Sequence, residues 1–134
     1  TWGESEDSAV AQVKEVIPDC EEVTVPFYDK ISWKKTKFGQ SLYFPTWKIE
    51  RNHPLVTSGE RAFKSLYKKD VKVDKWTFST NAVAVCGRHG IPSIGFGPGD
   101  ENQAHAPNEV NRIDDLVICS AFYAALVYNL EESV

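Results

Sequence analysis

The residues best placed for chemistry lie in one polar loop, 97–109, which holds Asp100, Glu101, His105, Asn108 and Glu109. Small Ala104 and Ala106 flank the histidine. A neutral imidazole binds zinc at about 2.0–2.1 Å. Spacing alone leaves His105 as either a solvated loop side chain or a metal ligand. The glycines around Pro98, in the run Gly95-Phe96-Gly97-Pro98-Gly99, read as turn chemistry or as a phosphate cradle. The cradle is disfavoured: Walker spacing and a following lysine are missing, and Asp100 and Glu101 repel anions. Ser79, Thr80 and Asn81 stand at an expected strand-to-helix turn, where they either cap the helix or contact a ligand at its N-terminus. Ser79 is not in a G-x-S-x-G elbow. Cys86 ends an apolar run away from any helix N-terminus, a poor setting for a thiolate nucleophile. His53 reads as a helix-entry residue and His89 as a cation at a helix C-terminus, while Trp47 and Trp76 read as core or interface anchors.

The elements that position these residues follow from hydrophobic period and punctuation. A helix is expected over 5–17, capped by Ser5, with Glu6 and Asp7 in its first turn and Pro18 after it. Residues 22–28 alternate as an edge strand, 29–40 form a long exposed connection, and 41–47 form a second short strand. Pro54 opens a helix with the apolar stripe Leu55, Gly59, Ala62, Phe63 and Leu66. Then come a strand at 71–78, a short helix at 82–86 capped by Thr80-Asn81, and an apolar strand at 91–96. A last helix over 114–130 has the core stripe Leu116, Cys119, Phe122, Tyr123 and Leu126. Alternating strands and helices after residue 51 predict an α/β layer, preceded by an α+β part, with a boundary near 48–53. The 97–109 loop then falls at the C-terminal end of a strand, where open α/β sheets place ligands.

Composition bounds the function. The chain has 134 residues, with fifteen Lys and Arg against nineteen Asp and Glu, for a net charge of −4. That sign is wrong for neutralising phosphates, so no nucleic-acid partner is expected. The apolar stretches fall short of the roughly 20 residues that cross a bilayer, and the acidic first 17 residues do not read as a signal peptide; no membrane partner is expected. Cys20, Cys86 and Cys119 cannot all pair within one chain and read as free thiols of a reducing, cytoplasmic compartment. The length predicts one ordinary core burying roughly two-thirds of the unfolded surface.

Several ordered motifs together carry a family resemblance. They are Lys75-Trp76-Thr77-Phe78-Ser79-Thr80-Asn81, Gly87-Arg88-His89-Gly90-Ile91-Pro92, Gly95-Phe96-Gly97-Pro98-Gly99 and Ala104-His105-Ala106-Pro107-Asn108-Glu109. This order resembles the C-terminal part of the zinc metallopeptidase and amidohydrolase family of acetylornithine deacetylase, succinyl-diaminopimelate desuccinylase and carboxypeptidase G. Thr1-Trp2-Gly3-Glu4 and Tyr43-Phe44-Pro45-Thr46-Trp47 are similar to its subgroup of hydrolases linked to selenium metabolism. The resemblance implies that 1–50 are part of an α+β lid domain of the dimerisation type. It implies that 51–134 are the closing part of a zinc-peptidase-like α/β catalytic domain. It makes His105 a metal ligand and Ser79, Thr80, Asn81, Gly97, Pro98 and Gly99 substrate-binding. It implies two zinc ions in the intact enzyme, a small amide or peptide substrate, and a homodimer formed through the lid. The family's other metal ligands and its general base belong to an N-terminal half that these residues do not include. One imidazole holds no catalytic zinc, so the isolated chain is expected to be inactive. The alternative is a non-catalytic short homologue acting as a binding or dimerisation module.

Overall fold

The computed structural model describes residues 3–131, which form two compact units. One holds the chain up to Lys48 together with Asn81–Ile91. The other holds Ile49–Thr80 and the chain from Pro92 onward. Thr1 and Trp2 of the N-terminal motif lie outside the described residues.

The first unit opens with helix α1, Glu6–Val16. Ser5 caps it as expected: the Ser8 N–H donates to Ser5 Oγ at 3.1 Å and the Ser5 N–H donates back to Ser8 Oγ at 2.8 Å, so two orphan donors are satisfied reciprocally. The expected strands at 22–28 and 41–47 shrink to β1, Phe27–Tyr28, and β2, Gln40–Ser41, paired antiparallel with Phe27 opposite Ser41. The stretch 29–40, expected as an open connection, is instead the arm of this hairpin. It adds a bridge between Ile31 and Lys37 and turns at Lys35, whose φ is +61°. At Gly39 a Cβ would stand 2.9 Å from the Phe27 ring, so a side chain there would have to displace that ring. The short helix expected at 82–86 is a π-helical turn, Val83–Arg88. Arg88 Nη2 ties it to the hairpin by donating to the Ser41 and Tyr43 carbonyls at 3.1 and 2.8 Å.

The second unit is built on α2, Pro54–Tyr67, and α3, Ile113–Glu131. His53 caps α2, its Nδ1 accepting from the Leu55 N–H at 3.1 Å, and Pro54 fills the first turn, where no donor is needed. The helices run antiparallel, since the start of α2 bonds the end of α3 and the reverse holds at the other end. Ser58 Oγ and Arg61 Nη2 both donate to the Asn129 carbonyl, and the Tyr67 hydroxyl donates to the Ile118 carbonyl at 3.0 Å. Ala62, Phe122 and Leu126 form the buried cluster, with Phe63, Ile94 and Phe96 packed on it. Phe96 and Phe122 stack with centroids 4.2 Å apart.

Three expectations are corrected in this unit. Segments 71–78 and 91–96 form no ladder among the described residues. A strand's N–H and C=O groups need a neighbouring strand, and neither segment meets one, so extended backbone does not become sheet. Leu66, Leu116 and Tyr123, expected in core stripes, are exposed, while Val56 and Ser58 are buried in their place. The apolar content of α3 was also underestimated. Asp114, Asp115, Ser120 and Asn129 interrupt it in sequence, yet Ile113–Leu130 is by length and composition apolar enough to cross a bilayer.

The expectation of an ordinary core is corrected as well. A folded monomer of 15.1 kDa exposes about 7,100 Å²; this chain exposes 10666 Å². Its buried hydrophobics among the described residues are Val56, Ala62, Val83, Cys119, Phe122 and Leu126, while Trp33, Phe27, Phe38 and Phe44 are among the exposed.

Candidate functional site

In the second unit, the segment 75–80 lies against the loop 95–109. Trp76 lies across Gly95, where a Cβ would stand 2.8 Å from indole Cζ2, and its Cη2 lies 3.9 Å from a Cβ placed on Gly97. Any side chain at Gly95 would push the indole off the loop. The next residue bonds the loop directly, as the Thr77 N–H donates to Glu101 Oε1 at 2.8 Å. Phe78 then meets His105 edge-to-face, with ring centroids 5.8 Å apart. Three consecutive side chains or amides thus fix the path of the loop that carries the histidine.

The loop is locally self-bonded. Asp100 Oδ1 accepts from the N–H and side-chain amide of Asn102 at 2.9 and 2.8 Å, starting a single 3-10 turn, Glu101–Gln103. Gly99 has φ +93°, and a Cβ there would clash with Asn111 Oδ1 at 2.2 Å. His105 and Asn108 are both left-handed, each with φ +63°. For a non-glycine residue that conformation costs about 1–2 kcal/mol. It is offset at His105 by Glu109, whose Oε2 accepts the His105 N–H at 3.1 Å.

The expected site residues are therefore distributed as follows. His105, Ser79, Thr80, Gly97, Pro98 and Gly99 are all exposed and all in the second unit. Asn81 is exposed and belongs to the first, where its carbonyl accepts the Ala84 and Val85 N–H groups that open the π-helical turn. The cap position of that turn is Ala82, with no side-chain cap bond, rather than the expected Thr80-Asn81.

The donor set around His105 does not make a complete metal centre. Among the described residues no three of His, Cys, Asp and Glu cluster to hold an ion. The neighbouring carboxylates bond amides instead: Asp100 at Asn102, Glu101 at Thr77 and Glu109 at His105 itself. A catalytic zinc takes three protein ligands and an open position, so His105 supplies at most one of them. All three cysteines are free. Cys119 is buried on α3, where burial and then the nearby Asp115 charge push its thiol up, away from the reactive thiolate. An open groove in the first unit, about 480 Å³, is lined by Glu6, Asp7, Val10, Lys14 and Val23–Val25 and gathers no histidine or cysteine.

Reasoning from sequence passed over Phe78, Glu101 and Glu109 as partners of the loop. One signal was available for Trp76. Glycines at 95 and 97 share one side of an extended segment, which leaves space for a ring.

The model of Peptidase family M20/M25/M40 matches residues 6–129, and the chain belongs to that family. Its enzymes generally use metal ions, typically zinc, on an α/β peptidase-like fold. The chain is 45% identical over 130 residues to Uncharacterized protein YgeY of Escherichia coli K12 and to its counterpart in strain O157:H7, covering 94% of this chain and 32% of each relative. It is 34% identical over 68 residues to a Pyrococcus furiosus protein named as a LysW-lysine/LysW-ornithine hydrolase, covering 50% of this chain and 20% of that one. The chain thus spans about a third of the length of the Escherichia coli relatives it matches. No solved structure matches it significantly.

Proposed function

We propose that this chain is the closing portion of a dinuclear-zinc amidohydrolase or peptidase acting on an amide or peptide bond of a small substrate. In this reading 51–134 complete the catalytic domain, 1–50 belong to a lid that carries a homodimer contact, and the protein is cytoplasmic. The observation that carries it is the loop 95–109, with His105 held on a rigid path by Trp76, Thr77 and Phe78 within a chain of this family. His105 supplies one metal ligand, and Ser79, Thr80, Asn81, Gly97, Pro98 and Gly99 line the substrate cleft. Glu109 fixes the backbone of the ligand, and Phe78 limits the swing of its ring. The remaining ligands and the general base come from the rest of the protein, so this chain alone performs no turnover. The motif 43–47 and Gly3-Glu4 support placing it in the subgroup linked to selenium metabolism. The Pyrococcus furiosus relative is likewise named as a hydrolase, of LysW-lysine or LysW-ornithine.

The test is a full-length chimera in which this chain replaces the matching 130 residues of the Escherichia coli relative. Metal content by mass spectrometry and hydrolysis of an N-acyl amino acid panel are measured with and without His105→Ala. The substitution is expected to lower metal occupancy by about tenfold or more. Unchanged metal content would remove His105 from the site. The second reading, a non-catalytic module, draws on the satisfied polar clasp between α2 and α3, and the large exposed surface counts against it.

A further inference from the structure

A carboxylate four residues from a candidate ligand histidine reads first as a second metal ligand or a general base. Glu101 holds that place before His105, yet the structure uses it differently. Its Oε1 accepts the Thr77 N–H at 2.8 Å, across 24 residues of sequence. The backbone beneath it is fixed first. Asp100 Oδ1 accepts the Asn102 N–H at 2.9 Å, the Gln103 N–H donates to the Asp100 carbonyl at 2.9 Å, and the Ala104 N–H donates to the Glu101 carbonyl at 3.2 Å. On the facing segment, Trp76 and Phe78 alternate about Thr77, and both meet the loop, at Gly95 and Gly97 and at the His105 ring. Thr77, between them, contributes its amide. Upstream, Phe96 is anchored on α3 by the Tyr123 hydroxyl, which accepts the Phe96 N–H at 3.2 Å and donates to the Phe96 carbonyl at 2.6 Å.

Resting on the reading above, we propose that Glu101 is a positioning residue, neither a metal ligand nor a proton carrier, that keeps the substrate segment 77–80 in register with the loop bearing His105. The ring contact of Phe78 with His105, at 5.8 Å between centroids, tolerates sliding, whereas an N–H···O bond of 2.8 Å is directional. A slip of one residue along the extended segment would carry Ser79 and Thr80 about 3.3 Å past the histidine and turn Trp76 and Phe78 to the other side. A misplacement of about 1 Å already costs an enzyme about a hundredfold in rate. Thr77 and Glu101 are both exposed, so their bond adds little to the stability of the fold. What it fixes is the spacing between the substrate residues and the ligand.

The test compares Glu101→Gln, which keeps an oxygen acceptor at the same reach, with Glu101→Ala, which removes it. In the chain itself, proton NMR reads the His105 ring signals, assigned by their absence in His105→Ala and shifted by the neighbouring Phe78 ring. They are expected to hold in Glu101→Gln and to move to the values of free histidine in Glu101→Ala. The His53 signals, from the cap of α2 in the same unit, should stay in place in both. In the full-length chimera, Glu101→Gln should keep both metal content and hydrolysis of the N-acyl amino acid panel. Glu101→Ala should lower kcat/KM by about tenfold or more. Unmoved His105 signals in Glu101→Ala would overturn the proposal. Metal lost in Glu101→Gln as fully as in His105→Ala would make Glu101 a ligand and overturn it. Hydrolysis lost in Glu101→Gln with metal retained would make it a proton carrier and overturn it too. The expected NMR pattern with metal content indifferent to His105→Ala would sink the hydrolase reading alone. Metal that depends on His105, with NMR signals indifferent to Glu101→Ala, would sink only the role of Glu101.

Discussion

The α2–α3 pair and the stretch 20–48 both carry many large apolar residues and end very differently. The helices keep their full lengths, Pro54–Tyr67 and Ile113–Glu131, and lock together through Ser58, Arg61 and Tyr67. The stretch 20–48 contains Val23, Val25, Phe27, Ile31, Trp33, Phe38 and Phe44, yet its ladder is two residues on each side. A helix closes its hydrogen bonds within its own segment, whereas a strand closes them on a neighbour. Among the described residues the helices are therefore complete while the ladder stays short.

The largest test of that contrast is Phe122→Ala. The ring packs against Phe96 and fills the centre of the buried cluster, and its loss should cost about 3–5 kcal/mol. Urea denaturation followed by hydrogen exchange should show α2 and α3 losing protection while the 26–42 hairpin is unchanged. A uniform loss across the chain would mean the contrast between the regions is false.

Gly95→Ala probes the candidate site. Its Cβ would stand 2.8 Å from the indole of Trp76, so the loop or the ring must shift, at a cost of about 1–3 kcal/mol. Trp76 emission, isolated in a variant lacking the other tryptophans, should move towards that of solvated indole. Ser5→Ala should cost about 1 kcal/mol, confined to α1, by removing one half of the reciprocal cap. Circular dichroism of the chain would register a small helical loss.

A smaller effect is expected from pH. The hydrogen bond from Arg51 holds Glu60 below the usual carboxylate range. The folded group ionises more readily than the unfolded one, so its contribution is full above the ordinary carboxylate pKa and fades as pH falls through the lowered value. Both side chains are solvated, so the drop in stability of α2 on acidification should be slight, and Glu60→Gln should flatten it.

Much of the helical framework was legible because its signals are local. Ser5, His53, Pro54 and the Cys119–Phe122–Leu126 spacing each specify an element within one or two turns. The strand readings failed where the pairing partner is non-local: 71–78 carries Val71, Val73, Trp76 and Phe78 between polar residues and 91–96 is apolar, but no sequence pattern states whether a neighbour is present. The site was half legible. His105 and the glycines stood out by type, while the bond from Thr77 to Glu101 joins residues far apart in sequence and the bond from His105 to Glu109 is made by a left-handed residue that spacing does not reveal. Leu116 and Val117 show the same limit on α3, since an all-apolar helix does not announce which side its own chain covers.

The most direct measurement is a zinc titration of the isolated chain by calorimetry, followed by an amide-hydrolysis assay of the same sample. With His105 as a lone ligand, no saturable one-to-one binding and no turnover are expected. Tight stoichiometric zinc accompanied by hydrolysis would contradict the claim that this chain holds only one part of a shared metal centre.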